Sequence, residues 1–214
     1  MTSPGLAGST GLAGSTEVAL VRHGLPAVDG SKDPGLSQLG WAQAAAVADC
    51  LLTERPAAVF SSQLQRARDT AAPLAELSGT AVVIDEDLRE WESYTPQPFY
   101  RPPEALTSSP RLAAYREGRF QDFLPPHDQD LLQHRMAEAV RRAAAEHPDE
   151  LIVVISHGGA INSLLALVIG TDQRFFFDPG YTGISRIRVM ADGRLVLVSV
   201  NETAHLRGLD AASA

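Results

Sequence analysis

Leu151 to Ser156 reads LIVVIS and runs straight into His157-Gly158-Gly159 and a further apolar stretch to about Ile169. An unbroken Leu/Ile/Val run with no polar alternation is the mark of a strand buried on both faces, and the apolar residues beyond the glycine pair continue as a helix. The same unit recurs along the chain. Glu17 to Arg22 (EVALVR), Ala57 to Ser62 (AAVFSS) and Ala81 to Ile84 (AVVI) read as strands. Helices are expected from Ser37, an N-cap residue, to about Leu52 before Pro56, from Gln63 to Leu77, and from Leu131 to Glu146 before Pro148. Ile184 to Met190 and Leu195 to Val200 flank the turn Asp192-Gly193 and read as a closing hairpin. Alternating strands and helices predict an α/β fold: a three-layer sandwich, mainly a parallel sheet with helices on both faces.

The 214 residues are enough for one sizeable core, and one domain over residues 17–208 is expected, with 209–214 as a tail. Residues 1–16 end in a perfect tandem repeat of GLAGST, whose Gly/Ser/Thr composition predicts a flexible low-complexity leader. Residues 91–126 are rich in proline, arginine and aromatic side chains, and predict a lid-like insertion over the site. A net charge of -8 repels phosphate backbones, so neither nucleic acid nor an acidic membrane is expected as partner, while a small anion in a local basic pocket is compatible with it. No run approaches the roughly 18 apolar residues that span a bilayer, and the N-terminus lacks signal-peptide character. Cys50 is the only cysteine, so no intrachain disulfide contributes. These features point to a cytoplasmic protein, with room for a homodimer.

In a parallel sheet, ligands bind beyond the carboxyl ends of the strands. Three polar clusters, Arg22-His23-Gly24, Ser61 to Arg66 and His157-Gly158, each follow an expected strand and should converge there. Arg22 brings a planar cationic fork, His23 a nucleophile usable near neutral pH, and Gly24 room for close backbone approach. A neutral imidazole attacks phosphorus well when its other ring nitrogen is kept protonated by a hydrogen bond. Arg66, just inside a helix, can point at an anion at the strand end or make a surface ion pair. His157 and Gly158 combine a second imidazole with free amides at a helix N-terminus, which attracts anions on physical grounds alone.

Together the segments resemble the histidine phosphatase superfamily, also called the phosphoglycerate mutase-like family. The RHG motif is matched by Leu20-Val21-Arg22-His23-Gly24, and the LTxxGxxQA segment by Leu36 to Ala44. Ser61 to Ala71 match SSxLxRAxxTA, Leu88-Arg89-Glu90 the acidic LxE motif, Ser156 to Gly159 the SHGG motif, and Asn201 to Leu206 a terminal N-x-T-x-H-L. The resemblance implies a phosphoglycerate mutase-like fold and a phosphatase that cleaves a small phosphate monoester through a phosphohistidine on His23, without metal or other cofactor. Arg22, Arg66 and His157 would hold the phosphoryl oxygens, with Gly24 and Gly158 lining the substrate site, and Glu90 would protonate the leaving group; Glu92 is the rival acid. The chain departs from the family pattern at Pro26 and Asp29, where Thr or Ser and Asn are frequent, and in the sequence after Glu90. His205 is expected to pack or cap, and His127, His134 and His147 to lie on the surface.

Two other activities fit the same residues: a mutase-type phosphotransfer, and a pseudoenzyme that binds phosphorylated ligands without turnover. A metal hydrolase using His23, His157 and Glu90 is disfavoured, because Arg22 and Arg66 would repel the cation. Specificity is expected in the insertion, where Arg101, Arg111, Arg116 and Arg119 could meet a second anionic group and Trp91, Tyr94, Phe99 and Tyr100 an apolar body. The alternative is that they are solvated or pack the insertion onto the sheet.

Overall fold

The structure, a computed structural model, describes residues 14–91 and 129–209, with the isolated positions 113, 117 and 119. Apart from those three positions, the insertion beyond Trp91, including Glu92, lies outside the described residues; the Arg119 guanidinium pairs with Glu117 at 2.9 Å.

Six strands form one sheet: β1 (Ser15–Arg22), β2 (Ala58–Ser61), β3 (Val82–Ile84), β4 (Leu151–Ser156), β5 (Ile184–Met190) and β6 (Leu195–Glu202), in the spatial order β3-β2-β4-β1-β5-β6. β1 to β4 are parallel, and β5 and β6 complete the sheet as an antiparallel hairpin. β4 has the bounds expected of LIVVIS. The register Val21↔Ile155 and Ser61↔Ile155 brings the carboxyl ends of β1, β2 and β4 side by side, with β4 in the middle.

Period-two alternation divides the strands between two cores. Ala19 and Val21 of β1, with Val153 and Ile155 of β4, pack under α1 (Gln38–Leu52) and α2 (Gln65–Ser78) through Val47, Leu51, Ala71 and Leu74. Val18 and Leu20, with Ile152 and Val154, pack under α3 (Gln129–Ala145) and α4 (Gly158–Ile169) through Met136, Val140, Ile161 and Leu164. Two helices lie on each face, as the unalternated LIVVIS run requires, and each fully buried Leu or Ile contributes about 1.5–3 kcal/mol. Ser37 caps α1 by accepting the Gly40 amide, and Gly79, in the left-handed region at φ 70°, ends α2. Among the described residues, no helix is long and apolar enough to cross a membrane.

β1 begins inside the second GLAGST repeat, two residues before the expected start. Ser15 and Thr16 are buried, and the Thr16 hydroxyl donates to the carbonyls of Ala144 and His147, at 3.1 and 2.8 Å. A small polar side chain can enter a strand end when carbonyls of a neighbouring element satisfy it, which composition cannot show.

Arg186 of β5 joins three carboxylates distant in sequence: Glu17 of β1 at 3.0 Å, Glu54 after α1 at 2.7 Å and Glu202 of β6 at 3.2 Å.

Candidate active site

The polar clusters converge as the strand order dictates. His23 leaves β1 with its amide donating to Ser156 O at 2.9 Å, and Ser62 leaves β2 with its amide donating to Ile155 O at 3.1 Å. Arg22, His23, Arg66, Glu90 and His157 are all buried. The rings of His23 and His157 stand 5.1 Å apart.

The two nitrogens of His23 have distinct partners. Nδ1 lies 2.8 Å from Gly24 O, a pure acceptor, so this nitrogen carries the proton. Nε2 then has a lone pair, and accepts from Arg66 Nε at 3.2 Å. Burial, followed by the charges of Arg66 and Arg22, holds the imidazole well below its ordinary value of 6.5, against the opposing pull of Gly24 O. His23 is therefore neutral near pH 7 and keeps its unprotonated nitrogen towards a guanidinium.

Gly24, expected to line the substrate site, also makes contacts within the protein. Its carbonyl takes the His23 proton and its amide donates to Thr70 Oγ1 at 2.9 Å. A Cβ there would stand 2.7 Å from Gly40 O, so the missing side chain admits the start of α1.

Arg66 sits at the start of α2, and its alternative, a surface ion pair, is half realised. Its guanidinium is buried, while Asp33, 3.7 Å away and half-exposed, also takes the Gln65 amide at 3.0 Å. Arg22 donates to Pro179 O, lies 3.8 Å from Asp178, and covers the Tyr181 ring at 3.8 Å. Tyr181 is also 5.8 Å from the His23 ring.

His157 precedes α4, with its Nε2 at 2.7 Å from Ser62 Oγ. Its Nδ1 is buried and has no hydrogen-bond partner among the described residues. Burial, then Arg66, His23, Arg135 and Arg22, holds it well below the ordinary value as well. Gly158, beside it, lies close to the Arg22 guanidinium, since a Cβ there would be 3.6 Å from Nε.

Glu90 reaches the same helix start from the segment after β3, its Oε2 accepting the Gly159 amide at 2.8 Å and its Oε1 the Trp91 amide at 3.0 Å. This segment is fastened by Arg135 of α3, which donates to the carbonyls of Asp87 and Arg89, and by Ser156 Oγ, which donates to Leu88 O at 2.8 Å. Here the missing side chain leaves room for both neighbours: a Cβ on residue 159 would stand 2.6 Å from both Glu90 Oε1 and Trp91 Cδ1, and these side chains would have to shift.

Of the departures, Pro26 is bridged to Leu36, and the Asp29 carboxylate takes the Ser31 amide in a turn. His205 meets Thr182 Oγ1 at 3.2 Å, and His147 meets Glu150 at 3.0 Å. Sequence reasoning missed Tyr181, which no motif marks, and gave no separate role to Ser62 and Thr70, although both lie inside the quoted Ser61 to Ala71 segment.

Fold and site define the class: an α/β protein with two buried arginines beside a neutral histidine at the carboxyl edge of its sheet. The particular family follows from comparison, since the sequence profile of the histidine phosphatase superfamily, branch 1, matches residues 18–203, and the chain belongs to that superfamily. It is 31% identical over 159 residues to the metal-independent phosphoserine phosphatase of Arabidopsis thaliana, covering 70% of this chain and 67% of that one. It is 30% identical over 171 residues to the glucosyl-3-phosphoglycerate phosphatase of Mycobacterium tuberculosis, covering 71% and 74%. The crystal structure of the phosphoserine phosphatase of Entamoeba histolytica with 3-phosphoglyceric acid superposes with a TM-score of 0.68 and 25% identity, over 89% of this chain and 99% of that one. Some longer mycobacterial relatives match over 96% of this chain, which spans 58% of their length.

Proposed function

We propose that the chain is a phosphatase that hydrolyses a small phosphate monoester through a phosphohistidine on His23. The observation that carries this reading is the split hydrogen bonding of the imidazole, with Nδ1 held by Gly24 O and Nε2 turned to Arg66. In the first step Nε2 attacks phosphorus in line with the ester oxygen, the P–O bond breaks, and the leaving oxygen takes a proton from Glu90. Gly24 O then faces the proton of a positively charged ring. In the second step water attacks phosphorus, Glu90 accepts its proton, the N–P bond breaks, and inorganic phosphate leaves.

The phosphoryl charge spreads over equatorial oxygens throughout, and Arg22, Arg66 and the His157 side stabilise it where water is excluded. The unsatisfied Nδ1 of His157 supports its part in this set. Arginines supply the positive charge, so no metal is needed.

Names of the relatives favour hydrolysis over mutase chemistry, and favour esters of the phosphoserine or phosphoglycerate kind. A net charge of -8, which repels nucleic acid, supports a small metabolite as substrate, and the cytoplasm is the compartment we propose for it. Recognition of the rest of the substrate is assigned to the insertion over residues 91–126.

The test is acid quench of the enzyme with labelled phosphate ester. Acid-labile, base-stable label is expected on the wild type and not on His23→Ala, which should lose turnover. Substantial hydrolysis by His23→Ala, or label that survives acid, would sink the reading. A mutase assay on the same preparation separates the alternative activity.

A further inference from the structure

The segment Asn201-x-Thr203-x-His205-Leu206 is shared with the family and has no part in the chemistry above. In the structure it grips the stretch Asp178–Gly183. Asn201, at the end of β6, adopts the left-handed region at φ 55°, which asparagine tolerates better than most residues. Its Oδ1 accepts the Gly180 amide at 2.8 Å, and its Nδ2 donates to Asp178 O at 3.4 Å. His205, in the 3-10 turn that follows, meets the Thr182 hydroxyl at 3.2 Å. The fit is close enough that a Cβ on Gly183 would stand 2.4 Å from Asn201 Oδ1.

The gripped stretch holds Arg22 from several sides. Pro179 O accepts from the guanidinium, Asp178 lies 3.8 Å from it, and the Tyr181 ring packs beneath it at 3.8 Å. The Arg22 main chain is fixed as well, with its amide donating to Gly183 O at 3.2 Å and its carbonyl accepting from Thr182 N at 3.0 Å.

We propose that Asn201 and His205 are positioning residues: they fix the 178–183 stretch, which aims the Arg22 guanidinium at the phosphoryl group. An arginine side chain has several rotatable bonds, and a phosphate pocket loses affinity for the transition state when that freedom must be removed during the reaction. A clamp built from the far end of the chain removes it beforehand. The inference rests on the role given to Arg22 under the proposed function.

The experiment is a double-mutant cycle with Asn201→Gly, which deletes the amide but keeps the left-handed backbone accessible, and Arg22→Ala. Two quantities are read, kcat/KM for a phosphate monoester and the dissociation constant of inorganic phosphate, with thermal melting to verify folding. Asn201→Gly should lower kcat/KM about tenfold in the wild-type background and less than twofold beside Arg22→Ala, because the clamp acts mainly through Arg22. His205→Ala should behave the same way, and His205→Gln, which restores a polar partner for Thr182, should recover most of the loss. Equal losses with and without Arg22, or full activity in a folded Asn201→Gly, overturn the proposal. Should Asn201→Gly not fold, the His205 pair carries the same cycle. Should the wild type cleave no phosphate ester, the proposed function fails by itself, and the cycle on phosphate affinity still decides the clamp.

Discussion

Gly159→Ala probes the placement of Glu90 without touching a reacting group. The new Cβ would meet Glu90 Oε1 and Trp91 Cδ1, each at 2.6 Å, and both are ends of side chains that can be pushed aside. The interaction lost is the 2.8 Å bond from the Gly159 amide to Glu90 Oε2. A hydrogen bond to a charged group is worth about 1.5–3 kcal/mol, which corresponds to a loss of about 10- to 150-fold where the acid takes part in the limiting step. Overpacking should cost about 1–3 kcal/mol of stability as well. The decisive assay varies the leaving group. An alkyl phosphate leaves as a strongly basic alkoxide and needs the proton, so its kcat/KM should fall by that factor. A nitrophenyl phosphate leaves without one, so its kcat/KM should change less than threefold, while its kcat falls because hydrolysis of the phosphohistidine still needs Glu90 as base. Equal losses of kcat/KM on both substrates would refute Glu90 as the proton donor.

Other outcomes follow from the same geometry. His23 and His157 stay neutral when folded, whereas unfolded histidines gain protons below about pH 6.5, so the unfolded chain binds more protons and stability should fall as pH drops through 6.5. The slope should approach, at most, about 1.4 kcal/mol per pH unit for each imidazole in urea titrations; stability flat from pH 7 to 5.5 would contradict it. Thr70→Val leaves the buried Gly24 amide without its acceptor, and should cost about 1–3 kcal/mol of stability by denaturant melt. Asp33→Asn removes a negative charge 3.7 Å from Arg66, so inorganic phosphate should bind a few-fold more tightly at low salt, an advantage that shrinks at high salt. Unchanged binding on calorimetry would show that Asp33 only caps α2.

Strands flanked by helices were legible because burial on both faces erases polar alternation, so LIVVIS and its neighbours announced a covered parallel sheet, and the strand ends announced that the polar clusters would converge. The start of β1 was not, because the partners of Thr16 are carbonyls at residues 144 and 147, which adjacency in sequence does not reveal. The same holds for His23: the motif marks it, but only the fold shows which ring nitrogen carries the proton and which keeps its lone pair. Ser62 acquires a meaning once β2 and β4 are neighbours and His157 comes within 2.7 Å. Tyr181 sits in a stretch with no periodicity, and nothing short of the folded chain places its ring under Arg22. His205 was expected to pack or cap, and its bond to Thr182 gives that expectation a definite partner.

The sheet order also dictates when the protein can assemble. β1 is made first yet occupies an interior position, and its two neighbours are β4 and β5, so Glu17 waits for Leu151 on one side and Arg188 on the other. The chain must leave the ribosome as far as Ser156 before β1 can pair with β4, and as far as Met190 before β5 closes its other side. Until then its apolar residues stand exposed, and the Glu17 and Glu54 carboxylates lack the Arg186 that later joins them. Such non-local pairing makes for slow folding and a nascent chain open to aggregation. Fragments ending anywhere before β5 should therefore be insoluble, while a permuted chain that begins with the β5–β6 hairpin would let β1 meet β5 as soon as both are made.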